Sequence, residues 1–414
     1  MATPYILDSN SSEANSSFTN YQKRVVLLCA LIAMLDGFDT QAIAFVAPVI
    51  ATEWGLQVSA FGPVFGAGLA GLMVGAFIFG PAADRWGRKR VILVTTALFG
   101  ALTLSTAWAT SLPMLLVLRF VAGLGLGGVM PNIIALTSEN VPARLRATMV
   151  SLMFCGFPLG AVLGGLIAAR LIPEAGWQSP FWLGGFLPLA LIPALLAWLP
   201  NASLPVQSTA PGSTPVARIF SRDYRSHTFL LWIVFFMNLL LLYFLVNWLP
   251  SLLRQAGISL DKAIIATVLL NAGGIAGSLV FARLIDRYGP YKILPVAYLA
   301  AAGFTTAIGL TTEAGFYPMM AVVMLAGFSV IGAQISINAL AAGIYPMEMR
   351  ATGVGWALGI GRAGSIVGPV VGGVLLAAGF SISTLFGIAA VPALIGGAAV
   401  LGLATLAKAN ARIR

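Results

Sequence analysis

Apolar runs of about 20 residues recur along the whole chain, each long enough to cross a hydrocarbon layer as a helix. They restrict the fold more than any other feature of the sequence. A backbone buried in hydrocarbon has to satisfy its own N–H and C=O groups, which only helices and closed barrels achieve. The runs lack the polar–apolar alternation of barrel strands, so they read as helices. At 414 residues, 59% hydrophobic and 9% charged, the chain is too apolar for a soluble domain. The expected class is all-α and integral to the membrane.

Spans are expected at roughly 24–46, 60–81, 91–109, 113–137, 147–170, 180–199, 228–249, 263–283, 293–312, 317–340, 351–376 and 382–407. That makes about twelve, six on each side of one polar stretch from Pro200 to His227 that carries Pro205, Pro211, Gly212 and Pro215. The expected organisation is a disordered tail over residues 1–23, a six-helix half over 24–199, a linker over 200–227, a second six-helix half over 228–407 and a short tail over 408–414. The first residues are rich in Ser, Asn and Thr and carry no basic segment ahead of the apolar run, unlike a signal peptide.

The formal net charge is +10. Its basic residues sit in short loops, where topology and lipid headgroups explain them better than nucleic acid does. With the N-terminus in the cytoplasm, one side collects Lys23, Arg24, Arg85, Arg88, Lys89, Arg90, Arg144, Arg146, Arg283, Arg287, Lys292 and Arg350, together with the arginines of the linker and the basic residues of the C-terminal tail. The other side has Arg170, Arg254 and Lys262. The positive-inside rule therefore places both termini in the cytoplasm. Cys29 and Cys155 fall within spans and read as packing residues rather than a disulfide framework.

Within the first span stands Leu35-Asp36-Gly37-Phe38-Asp39-Thr40, two carboxylates in an otherwise apolar run. A charge at that depth is unfavourable by a few kcal/mol even on mild scales, so such groups face a bundle interior or a water-filled path. Spacing of i, i+3 puts Asp36 and Asp39 on one helix face, with Thr40 beside Asp36. Two acids that close are not both freely ionised, which makes the stretch a candidate proton site. Arg119, about six residues into the fourth span, and Arg362, about eleven residues into the eleventh, also come out near mid-depth. A guanidinium such as that of Arg362 can clamp a carboxylate, or it can bond helix carbonyls or reach an aqueous cavity. Asn238, Asn271 and Gln334 can hydrogen-bond a ligand or tie helices together, and Phe38 and Phe157 can stack on an aromatic ring or pack in the core. Neither metal-ligand spacing nor a phosphate-cradling glycine motif is present in the sequence.

The two halves echo each other. Gly80-Pro-Ala-Ala-Asp84-Arg85-Trp-Gly87-Arg88-Lys89-Arg90 has a degenerate copy in Ala282-Arg-Leu-Ile-Asp286-Arg287-Tyr-Gly289-Pro290-Tyr-Lys292. Pro142-Ala-Arg144-Leu-Arg146-Ala-Thr148 has its copy in Pro346-Met-Glu348-Met-Arg350-Ala-Thr352. Two motif pairs at a common offset indicate duplication with parallel repeats. The Gly80–Arg90 loop resembles the loop between helices two and three of the major facilitator superfamily, and the resemblance extends over essentially the whole chain.

Within that superfamily, Asp36-Gly37-Phe38-Asp39-Thr40, Gly123-Leu-Gly125-Leu-Gly127, Pro131-Asn132, Ser138-Glu139 and Met153-Phe154-Cys155-Gly156-Phe157 resemble the aromatic acid:proton symporters. This group contains 4-hydroxybenzoate, benzoate and hydroxyphenylpropionate transporters. The resemblance implies twelve helices in two pseudo-symmetric halves, in a bacterial inner membrane. It also implies import of an aromatic carboxylate with a proton as the only coupling ion, by a monomer with no enzymatic activity and no other cofactor. Arg119 would then neighbour Asp36 or Asp39, as a proton relay or as a static ion pair. Asp84, Arg85 and Arg88, with Glu139, Arg146, Asp286 and Arg350, would form a cytoplasmic latch, or else ordinary topogenic charges and surface pairs. An exporter of amphipathic compounds and a membrane sensor of aromatic acids are the alternatives.

Overall fold

The computed structural model describes residues 19–142, 145–200, 218–312 and 315–413. Twelve helices are long and apolar enough to span a membrane. The first half contains α1 (Asn20–Glu53), α2 (Gly62–Trp86), α3 (Arg88–Thr106), α4 (Leu112–Asn140), α5 and α6 (Ser179–Trp198). Helix α5 runs over Arg146–Phe154, breaks at Cys155 and resumes over Gly156–Ala175. The break has a local cause, because Pro158 has no N–H to give the carbonyl of Phe154. The second half contains α7 (Arg225–Gln255), α8 (Leu260–Tyr288), α9 (Pro290–Thr311), α10 (Phe316–Ile344), α11 (Met347–Ala377) and α12 (Ile382–Ile413). An even number of crossings leaves the start of α1 and the end of α12 on one face, called here the terminal face. The opposite one is the distal face.

Helix ends differ from the sequence expectation because the helices overshoot the hydrocarbon and cap in the polar zone. Residues 20–23, expected in the N-terminal tail, belong to α1. Thr19 caps that helix, taking the Gln22 amide N–H at 3.2 Å while the Gln22 side chain takes the N–H of Thr19 at 3.0 Å. The last of the expected linker, including His227, is the first turn of α7, and the expected C-terminal tail is helical to Ile413. Residues 1–18 of the N-terminal tail and 201–217 of the linker lie outside the described residues.

Close backbone approach organises each half. A side-chain carbon added to Gly71 or Gly75 on α2 would overlap the carbonyls of Phe120 and Leu124 on α4. On α8, Gly273 and Gly277 stand in the same relation to Met324 and Phe328 of α10. Gly160 on α5 faces the Met34 carbonyl of α1, and its repeat mate Gly364 on α11 faces that of Phe236 on α7. These matched contacts are the three-dimensional form of the duplication seen in the sequence. The loop copies match too, since Gly87 and Gly289 take φ of 86° and 82°, a left-handed turn that favours glycine. Pro290, a departure from the first loop's pattern, occupies the first turn of α9, where its missing N–H is harmless.

The halves meet mainly through three helix pairs, α1 with α7, α2 with α11 and α5 with α8. The joints lie at the distal face or near mid-depth. Gly62 meets Gly373 and Pro369, and Gly66 meets Val370. Trp248 donates its indole N–H to the Pro369 carbonyl at 2.9 Å and meets the Phe65 ring edge-on at 5.2 Å. Toward the terminal face these close approaches between α2 and α11 stop, and nothing lies within 4 Å of a side-chain carbon placed at Gly80, Gly355 or Gly359. The bundle is therefore sealed distally and splayed at the terminal face.

Glycine contacts of this kind make a sharp prediction. Gly37→Ala, which drives a methyl into the Phe157 carbonyl, should lower stability by on the order of 1–3 kcal/mol. Gly303→Ala, with open space around it, should leave stability unchanged or slightly raised. Thermal unfolding of the two purified variants in detergent compares them directly.

Candidate functional site

The site is built around Asp39. Its carboxylate is fully buried in the first half, and Arg119 of α4 reaches it with Nη1 at 3.3 Å from both oxygens. Thr103 of α3 bridges the pair, donating to Asp39 Oδ1 at 2.6 Å and accepting from Arg119 Nη2 at 3.1 Å. Thr106, one turn on, accepts a second bond from Nη2 at 3.1 Å. The guanidinium carbon stands 5.2 Å from the centroid of the Phe181 ring on α6. Four helices thus enclose one ion pair. Burial of two charges is tolerated because each finds hydrogen bonds beyond its opposite number. Thr103, Thr106 and Phe181 were not singled out from the sequence. The only hint was a pair of hydroxyls one turn apart in an apolar run.

Asp36 is equally buried and takes a different direction. One oxygen accepts from Thr40 Oγ1 at 3.2 Å, while Oδ2 has no partner among the described residues. Neither carboxylate hydrogen-bonds the other, so the expected acid pair is separated into an Asp39–Arg119 ion pair and a singly bonded Asp36. Besides Asp39, the charge that bears on Asp36 is Arg362 of α11, across the boundary between the halves. Arg362 is half-buried and donates to the Tyr243 hydroxyl at 3.3 Å, with no acid in ion-pair reach among the described residues. A water-sized cavity of about 30 Å³ touches Asp39, Thr40 and Arg119 on one side and Asn247 on the other.

The polar candidates of the second half act as ties in this state. Asn238 donates to Gln334 Oε1 at 2.5 Å, joining α7 to α10, and Asn271 pairs with Gln41 of α1. Phe38 is buried between Gly164 and Gly184, which makes it part of the first half's core. Phe157 is half-buried, and its backbone carbonyl is the surface on which Gly37 rests.

At the terminal face Arg88 holds Glu139 by two contacts of 2.7 and 3.0 Å, and Arg146 donates to the Ser138 carbonyl at 2.8 Å. Arg350 donates to the Tyr345 carbonyl at 3.3 Å. Arg85 and Asp286 are exposed, and the Asp84 side chain lies outside the described residues. Every one of these bonds stays within its own half. Among the described residues no side-chain bond spans the two halves at this face.

Two repeated six-helix halves, joined at one face and open at the other around mid-depth charges, define a membrane transporter of the two-half kind. The chain belongs to the Major Facilitator Superfamily, whose profile matches residues 29–361 and again residues 263–412. It is 40% identical to the 4-hydroxybenzoate transporter PcaK of Pseudomonas putida, with 98% of each chain covered. It is 39% identical to a gallate transporter of the same species, over 97% of this chain and 94% of that one. The fold is shared with a crystal structure of a D-xylose-proton symporter at a TM-score of 0.76 and 17% identity, over 92% of this chain and 97% of the other. The protein is a transporter and not an enzyme.

The enclosed pair predicts a thermodynamic signature. Asp39→Ala and Arg119→Ala each leave one buried charge uncompensated and should destabilise by about 3–5 kcal/mol. The double variant Asp39→Ala/Arg119→Ala should lose clearly less than the two single losses added together. Unfolding of the four proteins in one detergent reads the coupling as a double-mutant cycle.

Proposed function

We propose that this transporter imports a hydroxylated aromatic carboxylate together with protons across the bacterial inner membrane, with both termini in the cytoplasm. Two of its relatives are a 4-hydroxybenzoate and a gallate transporter, and both of those ligands are ring-hydroxylated benzoates. The observation that carries the reading is the imbalance of charge at mid-depth. The first half neutralises its arginine internally through Asp39, whereas Arg362 of the second half faces the boundary with no acid of its own. A carboxylate substrate supplies the missing charge, and a guanidinium binds it through two N–H donors.

Asp39 and Asp36 divide the proton work. A proton on Asp39 loosens its hold on Arg119, because a neutral acid attracts a guanidinium less than a carboxylate does. Asp36, singly bonded by Thr40 and within the field of Arg362, links proton load to substrate, since the arriving anion competes with Asp36 for the same cation. In the orientation set by the basic loops, the splayed terminal face is cytoplasmic and the arrangement is inward-open. One proton with one monoanion moves no net charge, so the pH gradient drives that stoichiometry. Additional protons would bring in the membrane potential, at about 2.3 kcal/mol per charge per 100 mV.

Uptake of labelled 4-hydroxybenzoate into proteoliposomes tests the reading. Wild type should accumulate the acid when the lumen is made alkaline, and collapse of the gradient with a protonophore should abolish accumulation. Asp39→Asn should lose gradient-driven accumulation. Arg362→Gln should raise KM by about 10- to 150-fold, the worth of a hydrogen bond to a charged group. Failure of wild type with 4-hydroxybenzoate, gallate and benzoate alike would redirect the assignment to an exporter or a sensor.

A further inference from the structure

Gln41 follows Thr40 on α1, on the side of that helix that meets α8 of the second half. Its Nε2 donates to Asn271 Oδ1 at 3.1 Å, and Asn271 Nδ2 returns a bond to Gln41 Oε1 at 3.0 Å. Both side chains are buried, at 2% and 4% exposure. Asn271 also donates to the Thr267 carbonyl one turn back at 2.9 Å, which holds its amide toward α1. Among the described residues this reciprocal pair is the only side-chain hydrogen bonding that joins the two halves. The other joints are apolar, among them close glycine contacts, the Phe65–Trp248 pair, the packing of Leu69 against Tyr243 and the approach of Gly165 to Val268.

The internal duplication shows that the pair is not a by-product of the fold. The offset that carries Asp84 onto Asp286, 202 residues, carries Gln41 onto Tyr243 and Leu69 onto Asn271. The repeat-related contact is thus Leu69 with Tyr243, and those two do pack together, with Leu239, in an apolar cluster. One side of the pseudo-twofold axis is closed by apolar packing and the other by two hydrogen bonds.

We propose that Gln41 and Asn271 form a neutral latch that holds the distal face shut and sets the ratio of distally closed to distally open transporter. Each primary amide gives one N–H to the other and takes one from it, and neither titrates. The latch therefore acts independently of proton load, unlike the Asp39–Arg119 pair. Its chemistry also suits a gate. While the joint is dry, separating the amides leaves four buried polar groups unpaired. Once the distal face parts, entering water satisfies all four. The bond is firm when closed and nearly free to break when wet, which favours two discrete states over a partly open one. The inference rests on the protein being a transporter and is independent of which substrate or ion it carries.

The test is accessibility of the distal joint. Val64, 1% exposed and lining the cavity between the halves, is replaced by cysteine in full-length protein carrying Cys29→Ser and Cys155→Ser. Maleimide labelling is timed in nanodiscs at pH 6 and pH 8. The near-isosteric changes Gln41→Met and Asn271→Leu should each raise the labelling rate by roughly 3- to 20-fold, the range for hydrogen bonds between membrane helices, by the same factor at both pH values. The exchanged pair Gln41→Asn/Asn271→Gln should return the rate toward wild type. Unchanged rates in folded single variants, an effect confined to one pH, or no recovery in the exchanged pair would each overturn the latch. Loss of proton-driven uptake in wild type would overturn the symport reading and leave the latch standing.

Discussion

Hydrocarbon offers no water to polar groups and no hydrophobic drive between one apolar helix and another, and the architecture follows from that double absence. Backbone groups are satisfied within twelve helices. The helices then hold together by contact, and contact is closest where side chains are missing. Gly71 and Gly75 against α4, Gly273 and Gly277 against α10, and Gly160 and Gly364 against α1 and α7 bring backbone onto backbone. Larger residues at these positions would hold the helices apart and forfeit short-range dispersion along their length. The same contacts recur between halves at Gly62 and Gly373, where smooth surfaces also allow the joint to part without unlocking interdigitated side chains.

Charges in this setting need enclosure, and the two halves supply it differently. Asp39 and Arg119 are wrapped by α1, α3, α4 and α6, with Thr103 and Thr106 accepting from Arg119 Nη2 and Thr103 donating to Asp39, while Arg119 Nε has no partner among the described residues. Arg362 has a tyrosine hydroxyl and no acid beside it among the described residues. The first half pairs its arginine with Asp39 and keeps Asp36 besides, whereas the second half has no acid in ion-pair reach of Arg362 among the described residues. Duplication produced two similar scaffolds, and the charges broke the symmetry between them. That asymmetry is what the proposed role of Arg362 as the counter-charge of a carboxylate substrate rests on.

The joints between halves follow the same division of labour. Apolar and glycine contacts close the distal face broadly, while Gln41 and Asn271 add two directional bonds at one point. At the terminal face the charged contacts among the described residues, the Arg88–Glu139 ion pair and the bonds of Arg146 and Arg350 to backbone carbonyls, each stay within one half. A transporter that alternates needs its two closed faces to be of similar free energy. Weak, water-replaceable joints satisfy that requirement better than a buried interdomain ion pair would.

Span number, the duplication and the mid-depth charges were legible in the sequence, because length, repetition and the penalty for a buried charge are local or additive properties. Asp36, Asp39, Arg119 and Arg362 stood out for that reason alone. Partnership was legible only in part: the resemblance put Arg119 beside Asp36 or Asp39, and packing chose Asp39. The sequence put Asp36 and Asp39 on one helix face, yet α4 and α3 drew Asp39 into an ion pair and left Asp36 to Thr40 and the second half. The sequence left Asn238 and Asn271 open between ligand groups and helix ties and Phe38 between a stacking platform and core packing; in this state the two asparagines tie helices and Phe38 fills a gap between two glycines. Gln41, Thr103 and Thr106 carried no signal beyond being polar in an apolar run. The chain by itself determined that it would cross the membrane twelve times and bury a few charges. Which residue each charge met, and which face closed, were decided only when helices far apart in sequence packed together, since a side chain's partner is set by distance in space.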